Sequence, residues 1–330
     1  MRCIWTSSLR SPRARCSGAT FSTESASVGF VGLGKIGYAM ARNMIGAGES
    51  LVVYDTDPCA VARIVDNGGA VEAASAAEVA ASTSRLVTVL PNDAILEQVV
   101  AEISPVLAPR SVHVGCSTIS PYTARAVAAT HAEQGSSYIS APVFARPDGM
   151  AAAQATIPVS GPATGIARIL PLLEATSSGV FQFGEDPGSA NVVKLGGNFL
   201  IAAAIEAMAE SLALAEANGV DRVKMMQMLN ATIFDCLIYK GYGQRVSERD
   251  HKPYEDAHFS LELGLKDINL VSATATASAT PMPLCSLLKD RYMSASNLGW
   301  GDMDWSAIGM KVALDAGLDI DDAVQRSKKL

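Results

Sequence analysis

Val28-Gly29-Phe30-Val31-Gly32-Leu33-Gly34-Lys35-Ile36-Gly37 is the stretch that decides the reading of this 330-residue chain. Val28 to Val31 is a short apolar run of β character, and a Gly-x-Gly-x-x-Gly turn follows it directly. The spacing then predicts a helix from about Gly37 to Ala47, stopped by Gly48. In the order strand, glycine turn, helix, backbone N–H groups at the helix N-terminus face a pyrophosphate, and Gly34 permits its close approach. A second strand, Leu51-Val52-Val53-Tyr54, ends at Asp55. A carboxylate at that point can accept hydrogen bonds from ribose hydroxyls and repels a 2′-phosphate. Thr56 and Asp57 supply no guanidinium for such a phosphate, which favours NAD. Arg63 lies too far along to settle the matter, and NADP stays open.

Outward from this unit, Arg85 to Leu90 reads as a strand halted by Pro91, Ser111 to Val114 as another, and Tyr138 to Ala141 as a third before Pro142. The alternation predicts an α/β Rossmann domain, a doubly wound parallel sheet with right-handed crossovers, over residues 28–187. Around Gly188 the character changes to one long Ala-rich helix near 189–217. Val220 to Leu229, Leu261 to Thr276 and Trp305 to Ala316 follow at helical spacing. An all-α domain is therefore expected over 188–330, beginning with an interdomain helix, with the active site in the cleft.

Composition supports a metabolic enzyme. An apolar fraction of 49% supplies two cores, while 6% aromatic and 18% charged residues suit close helix packing. A net charge of -7 opposes a nucleic-acid surface, so the expected partner is a small molecule. The six Cys residues are far apart with no CxxC, and neither a metal site nor a disulfide framework is indicated. The longest uncharged run, Ile268 to Leu288, is rich in Ser and Thr and holds Pro281 and Pro283, so no membrane span is expected there or elsewhere. Residues 1–27 stand apart: Arg2, Arg10, Arg13 and Arg15 sit among many Ser residues, with no carboxylate before Glu24. This is either a mitochondrial transit peptide or sequence upstream of a misassigned start codon. The expected location is cytoplasmic, or the mitochondrial matrix if residues 1–24 are a true leader.

Gly32-Leu33-Gly34-Lys35-Ile36-Gly37-Tyr38-Ala39-Met40-Ala41-Arg42-Asn43 resembles the opening signature of the β-hydroxyacid dehydrogenase family, which includes 3-hydroxyisobutyrate, tartronate semialdehyde, glyoxylate and 6-phosphogluconate enzymes. Leu90-Pro91 is similar to its cofactor-contacting loop, and Ser117-Thr118-Ile119-Ser120-Pro121 to its turn beside the nicotinamide. Ser120 and Pro121 also suit a helix start, as N-cap and first residue. Gly188 to Asn198 resembles the segment with the family's catalytic Lys and substrate-orienting Asn, here Lys194 and Asn198. Spacing of four places both on one helix face. The resemblance continues through Gly264-Leu265-Lys266-Asp267, where it implies that Lys266 reaches the cofactor, to Ala307.

It implies hydride transfer between a nicotinamide and a small β-hydroxy acid, Lys194 as general acid/base, no metal, and a homodimer or homotetramer. Burial of Lys194 would lower its pKa and let it exchange a proton near neutral pH. Ala141-Pro142-Val143-Phe144-Ala145-Arg146-Pro147 departs from the pattern, since the family usually has Ser-Gly-Gly after Pro-Val. Phe144 narrows and dries the pocket, and the Arg146 fork can bind a carboxylate or phosphate. The variant resembles a divergent branch near the imine reductase-like proteins, although those generally lack the Lys and prefer NADPH. An imine or broad carbonyl reductase, or a catalytically silent NAD-binding sensor, is the alternative.

Overall fold

The computed structural model describes residues 27–253 and 257–328. All but the last residue of the 1–27 leader therefore lies outside the described residues. The chain alternates β1 (Val28–Val31), α1 (Lys35–Gly46), β2 (Leu51–Tyr54), α2 (Pro58–Asp66), β3 (Ala70–Glu72), α3 (Ala76–Ser82), β4 (Arg85–Thr88), α4 (Asp93–Ile103), β5 (Val112–Gly115), α5 (Pro121–Glu133) and β6 (Ser137–Ser140). These six strands form one sheet in the order β3-β2-β1-β4-β5-β6, every neighbouring pair parallel. β1 and β5 are buried along their whole length, as strands covered by helices on both faces must be. The strand order reverses between β1 and β4, and the crevice beyond their carboxyl ends is where such sheets bind ligands.

Several boundaries differ from the sequence expectation by one or two residues, and two of them lie beside the glycine turn and the crevice. β4 ends at Thr88 rather than Leu90, because Leu90 N–H turns away to donate to Ser117 Oγ at 2.7 Å. α1 begins at Lys35 rather than Gly37, with Gly34 as its N-cap. Ser120 caps α5 by accepting from Tyr122 N–H, with Pro121 as the first helical residue, as expected.

After α6 (Pro147–Ala151) comes a second small sheet that the sequence reading did not foresee. In it β7 (Ala155–Val159) pairs in parallel with β8 (Ser177–Gln182) across α7 (Ala163–Glu174). β8, Ser-Ser-Gly-Val-Phe-Gln, has no apolar alternation and is largely exposed, which removes the signal that reveals a half-buried strand.

From Gly188 the described chain is helical: α8 (Gly188–Ala217), α9 (Arg222–Asn230), α10 (Leu237–Glu248), α11 (Leu261–Ala277), α12 (Pro283–Asn297), α13 (Ile308–Asp315) and α14 (Asp321–Lys328). A 3₁₀ turn, Trp305–Ala307, breaks the helix expected over Trp305 to Ala316. By length and composition alone α8 could cross a membrane, with mean hydropathy 1.5, which corrects the expectation that no stretch qualifies. Here it packs against α5 near its start and against α10, α11 and α13 further on. Leu195, Ile205, Met208 and Leu212 on α8 enter a core shared with Tyr242, Leu288, Tyr292 and Trp305.

A chain of neutral side chains is buried beneath the parallel sheet. Thr88 Oγ1 lies 2.9 Å from His113 Nε2, His113 Nδ1 lies 2.9 Å from His131 Nε2, and His131 Nδ1 lies 3.0 Å from Ser136 Oγ. Burial drives the His131 pKa down to about 4, and burial with the neighbouring His131 holds that of His113 well below its ordinary value. Burial also takes His251 to about 3 and lowers His258, so all four histidines of the chain favour the neutral form when folded.

In the unfolded chain each histidine protonates near the ordinary value of about 6.5. The unfolded state then binds more protons than the folded one below that pH, and stability falls as the pH drops from about 6.5 toward 4. Urea denaturation at pH 7.5, 6.0 and 5.0 is expected to give midpoints that decline steadily. A flat profile over that interval would contradict the neutral histidine chain.

Candidate active site

The glycine turn is shaped by contact at two positions and left open at the third. Gly32 has φ of +97°, and a Cβ there would lie 2.2 Å from Val89 O. At Gly37 a Cβ would lie 2.0 Å from Gly32 O. Gly34 is different, since a Cβ on it would meet nothing within 4 Å. Gly34 also brings no side-chain cap to α1, whose first turn carries no carboxylate. The first backbone N–H groups of a helix are not taken up by its own ladder, and those of Ile36 and Gly37 stand beside this opening. Space for an anion, dipole of the right sign and absence of a competing acid fit a dinucleotide pyrophosphate.

Asp55, at the end of β2, is fixed against the turn. Its Oδ2 accepts from Leu33 N–H and its Oδ1 from Asp57 N–H at 2.8 Å. Each oxygen keeps a lone pair for a ribose hydroxyl. Arg63 stacks over the Tyr38 ring at 3.9 Å, which holds its guanidinium on that ring. Lys35 Nζ donates to Ala257 O at 3.1 Å, a contact from the first turn of α1 to the segment before α11.

Ser160, after β7, and Asp186 seat the start of α8. Ser160 Oγ accepts from Ala190 N–H at 3.0 Å and donates to Pro187 O. Asp186 accepts from Gly188 N–H and holds a bidentate pair with Arg125 of α5. Two turns later, Lys194 and Asn198 are buried on the face that meets α11, at 8% and 3% exposure. Lys194 Nζ donates to Asn198 Oδ1 at 2.9 Å, and Asn198 Nδ2 donates to the buried Asp267 Oδ2 at 2.5 Å. Burial lowers the Lys194 pKa to about 8 and the nearby Lys266 pushes the same way, while Asp267 opposes them.

Asp267 appears in the sequence motif but was not singled out there, because a polar residue's partner 69 positions away leaves no local signal. Lys266 Nζ lies 3.0 Å from Asp267 Oδ1 and donates to Thr118 O at 2.9 Å and Pro91 O at 3.1 Å. Two of its N–H groups go to loop carbonyls, while Asp267 Oδ1 is an ion-pair neighbour that accepts no hydrogen bond. Lys266 thus draws α11 onto the Leu90-Pro91 and Ser117-Thr118 loops, both beside the β1/β4 crevice.

Phe144 projects between these groups. Lys194 Nζ stands 4.2 Å from its ring centroid, within cation–π distance. The ring fits against Gly197, where a Cβ would come 2.4 Å from Phe144 Cζ. Arg146, two residues on, reaches α10, with its NH1 3.0 Å from where a Cβ of Gly241 would be. Of the residues singled out from sequence, Lys194, Asn198, Phe144, Thr118 and Lys266 thus form one connected group, while Gly32 to Gly37 and Asp55 form a second. Among the described residues no group of three His, Cys, Asp or Glu is placed to hold a metal ion.

The sequence profile of the NAD binding domain of 6-phosphogluconate dehydrogenase matches residues 27–184. That of the NAD-binding region of NADP-dependent 3-hydroxyisobutyrate dehydrogenase matches residues 188–311. An uncharacterized oxidoreductase of Bacillus subtilis, YfjR, is 34% identical over 85% of this chain and 98% of its own. The NAD-dependent L-serine dehydrogenase of Pseudomonas aeruginosa is 30% identical over 85% and 96%. The crystal structure of 3-hydroxyisobutyrate dehydrogenase from Salmonella typhimurium superimposes with a TM-score of 0.78 at 31% identity, covering 87% of this chain and 99% of that one. The glycine cradle, the buried Lys and these matches together place the chain in the β-hydroxyacid dehydrogenase family, as an NAD(P)-dependent oxidoreductase of the 3-hydroxyisobutyrate dehydrogenase type.

Proposed function

We propose that the protein oxidises the hydroxyl of a small β-hydroxy acid, or reduces the corresponding carbonyl, with Lys194 as general acid/base. The observation that carries this reading is a buried ammonium with its pKa lowered to about 8, hydrogen-bonded to Asn198 and facing the crevice loops. The cofactor would lie on Gly32 to Gly37 and Asp55, with Leu90, Pro91, Ser117 and Thr118 around the nicotinamide. When bound, the nicotinamide supplies a hydride acceptor or donor.

For oxidation, neutral Lys194 accepts the hydroxyl proton at Nζ. For reduction, the ammonium returns a proton to the carbonyl oxygen. Asn198 accepts from Lys194 and donates to Asp267, which fixes the direction of Nζ. Phe144 excludes water beside Nζ, and the tether of Lys266 to Pro91 and Thr118 closes the cleft. L-Serine and 3-hydroxyisobutyrate, named for the relatives, are both β-hydroxy acids and define the substrate class to try first.

The pH dependence follows from the direction of the shift. Oxidation needs neutral Lys194, so kcat/KM should rise through an ionisation near pH 8, whereas reduction should decline through the same ionisation. Lys194→Met should lower kcat by roughly 10²–10⁴-fold in both directions. The check is NADH formation or consumption at 340 nm from pH 6 to 10 with 3-hydroxyisobutyrate, L-serine and glycerate, and with their aldehydes. Unchanged turnover in Lys194→Met would remove Lys194 from the chemistry. Silence with every hydroxy acid, alongside reduction of imines, would transfer the reading to that reaction.

NAD is the preferred cofactor in this reading, because the fixed Asp55 carboxylate meets the ribose and Arg63 is held on Tyr38. Asp55→Ser should weaken discrimination against NADP by roughly tenfold or more, the scale of one lost charge–charge repulsion. Gly34→Ala should leave the melting temperature unchanged, since its Cβ meets no protein atom, yet weaken nucleotide binding. Equal Kd values of wild type and Gly34→Ala for NADH, by fluorescence titration, would place the pyrophosphate elsewhere. The family's oligomeric habit and the exposed Leu200 and Leu214 on α8 support a homodimer or homotetramer.

A further inference from the structure

Two residues past Phe144, basic side chains from both halves of the chain converge. Arg146 arrives from the segment before α6, its backbone extended, so it and Phe144 project to the same side of that segment. Its NH1 lies over Gly241 of α10, where the missing Cβ leaves room for the guanidinium. Arg245, one turn further along α10, places NH2 3.3 Å from His258 Nδ1. Arg245 NH1 is buried without a hydrogen bond, its nearest anion being Asp304 Oδ2 at 3.9 Å. Arg146 is no better matched, with Asp148 Oδ1 at 4.0 Å on a side chain that is 70% exposed. Tyr242 and His258 both feel Arg146 and Arg245 together.

Lys194 and Asn198 stand on α8 and Asp267 on α11, whereas this group stands on α10 and on the segments before α6 and α11. Tyr242 packs edge-on to Trp305, and Trp305 lies against Gly264 of α11, close to one helical turn before Asp267.

We propose that Arg146 and Arg245, with Tyr242 and His258 beside them, form a distal anion subsite that takes a second acidic group of the substrate. This deepens the dehydrogenase reading and rests on it for the identity of the reacting end. The substrate class becomes a β-hydroxy acid with a carboxylate or phosphate at its far end. The reasons are chemical. Two guanidinium forks with poorly matched carboxylates, one with a buried N–H that makes no hydrogen bond, retain donors for a dianion.

The test uses paired substrates that differ only at the far end: 3-hydroxybutyrate against 3-hydroxyglutarate, and erythronate against 4-phosphoerythronate, each with NAD and with NADP. Wild type should favour the doubly charged member of at least one pair by roughly tenfold or more in kcat/KM, expressed chiefly in KM. Arg146→Met and Arg245→Met should each abolish that preference, raising KM for the doubly charged member far more than for the singly charged one. No preference in wild type, or a preference that survives both substitutions, overturns the proposal. Calorimetric titration of the NADH-loaded enzyme with the same four acids separates the two readings. Tighter binding of the doubly charged acid that Arg146→Met removes supports the subsite even without turnover, whereas equal binding sinks it. If Arg245→Met fails to fold because Asp304 loses its neighbour, Arg146→Met decides alone, its partner Asp148 being exposed.

Discussion

The buried sequence of contacts Lys194–Asn198–Asp267–Lys266 is the interaction on which the rest of the site depends. One carboxylate, itself fully buried, serves two ammonium groups on different helices, with an amide between it and one of them. An ion buried without its partner is strongly destabilising, so each member fixes the next. Asp267 commits Asn198 to donate from Nδ2, which leaves Oδ1 to receive Lys194. At the other end Lys266 extends the chain to two loop carbonyls at the carboxyl edge of the sheet. The same contacts that close the cleft therefore aim the candidate acid/base. Burial makes Lys194 a competent proton acceptor, and Asp267 prevents that burial from driving its pKa further down.

Phe144 and Gly197 form a second dependence, of volume instead of charge. After Pro142-Val143 this chain has an aromatic ring, and Gly197 on the facing helix leaves a gap that the ring fills. The ring then stands against the Lys194 ammonium. An aromatic face is among the few apolar surfaces that still favour a cation, so the pocket is dried without neutralising the lysine outright. The departure from the family pattern is compatible with the retained lysine because Gly197 accommodates it.

Much of this was legible in the sequence where signals are local. Val28 to Gly37 announces a strand, a turn and a helix start within ten residues, and each part restricts the next. Lys194 and Asn198 share a helix face by spacing alone. What stayed hidden depends on long-range contact: Asp267 meets Asn198 across 69 positions, and Gly197 meets Phe144 across two elements. β8 was missed because an exposed strand on a two-stranded sheet needs no apolar alternation. Arg245 looks like any solvated charge on a helix until the fold sets it beside Arg146, His258 and Asp304.

α8 joins these pieces because it is long and anchored at both ends. Thirty residues at about 1.5 Å per residue make a rod of roughly 45 Å. Its first turn is held by Ser160, Asp186 and the close contact of Gly188 with Arg125 and Pro121. Its later turns are embedded in the helical core. Lys194 lies two turns from the anchored end, close enough for its height above the sheet to be set by that clamp instead of by the mobility of a loop. Placing Lys194 there, and its hydrogen-bond partner one turn on, makes the position of Nζ a property of two packed cores together. The sheet fixes where the helix starts, and the helical bundle fixes its direction.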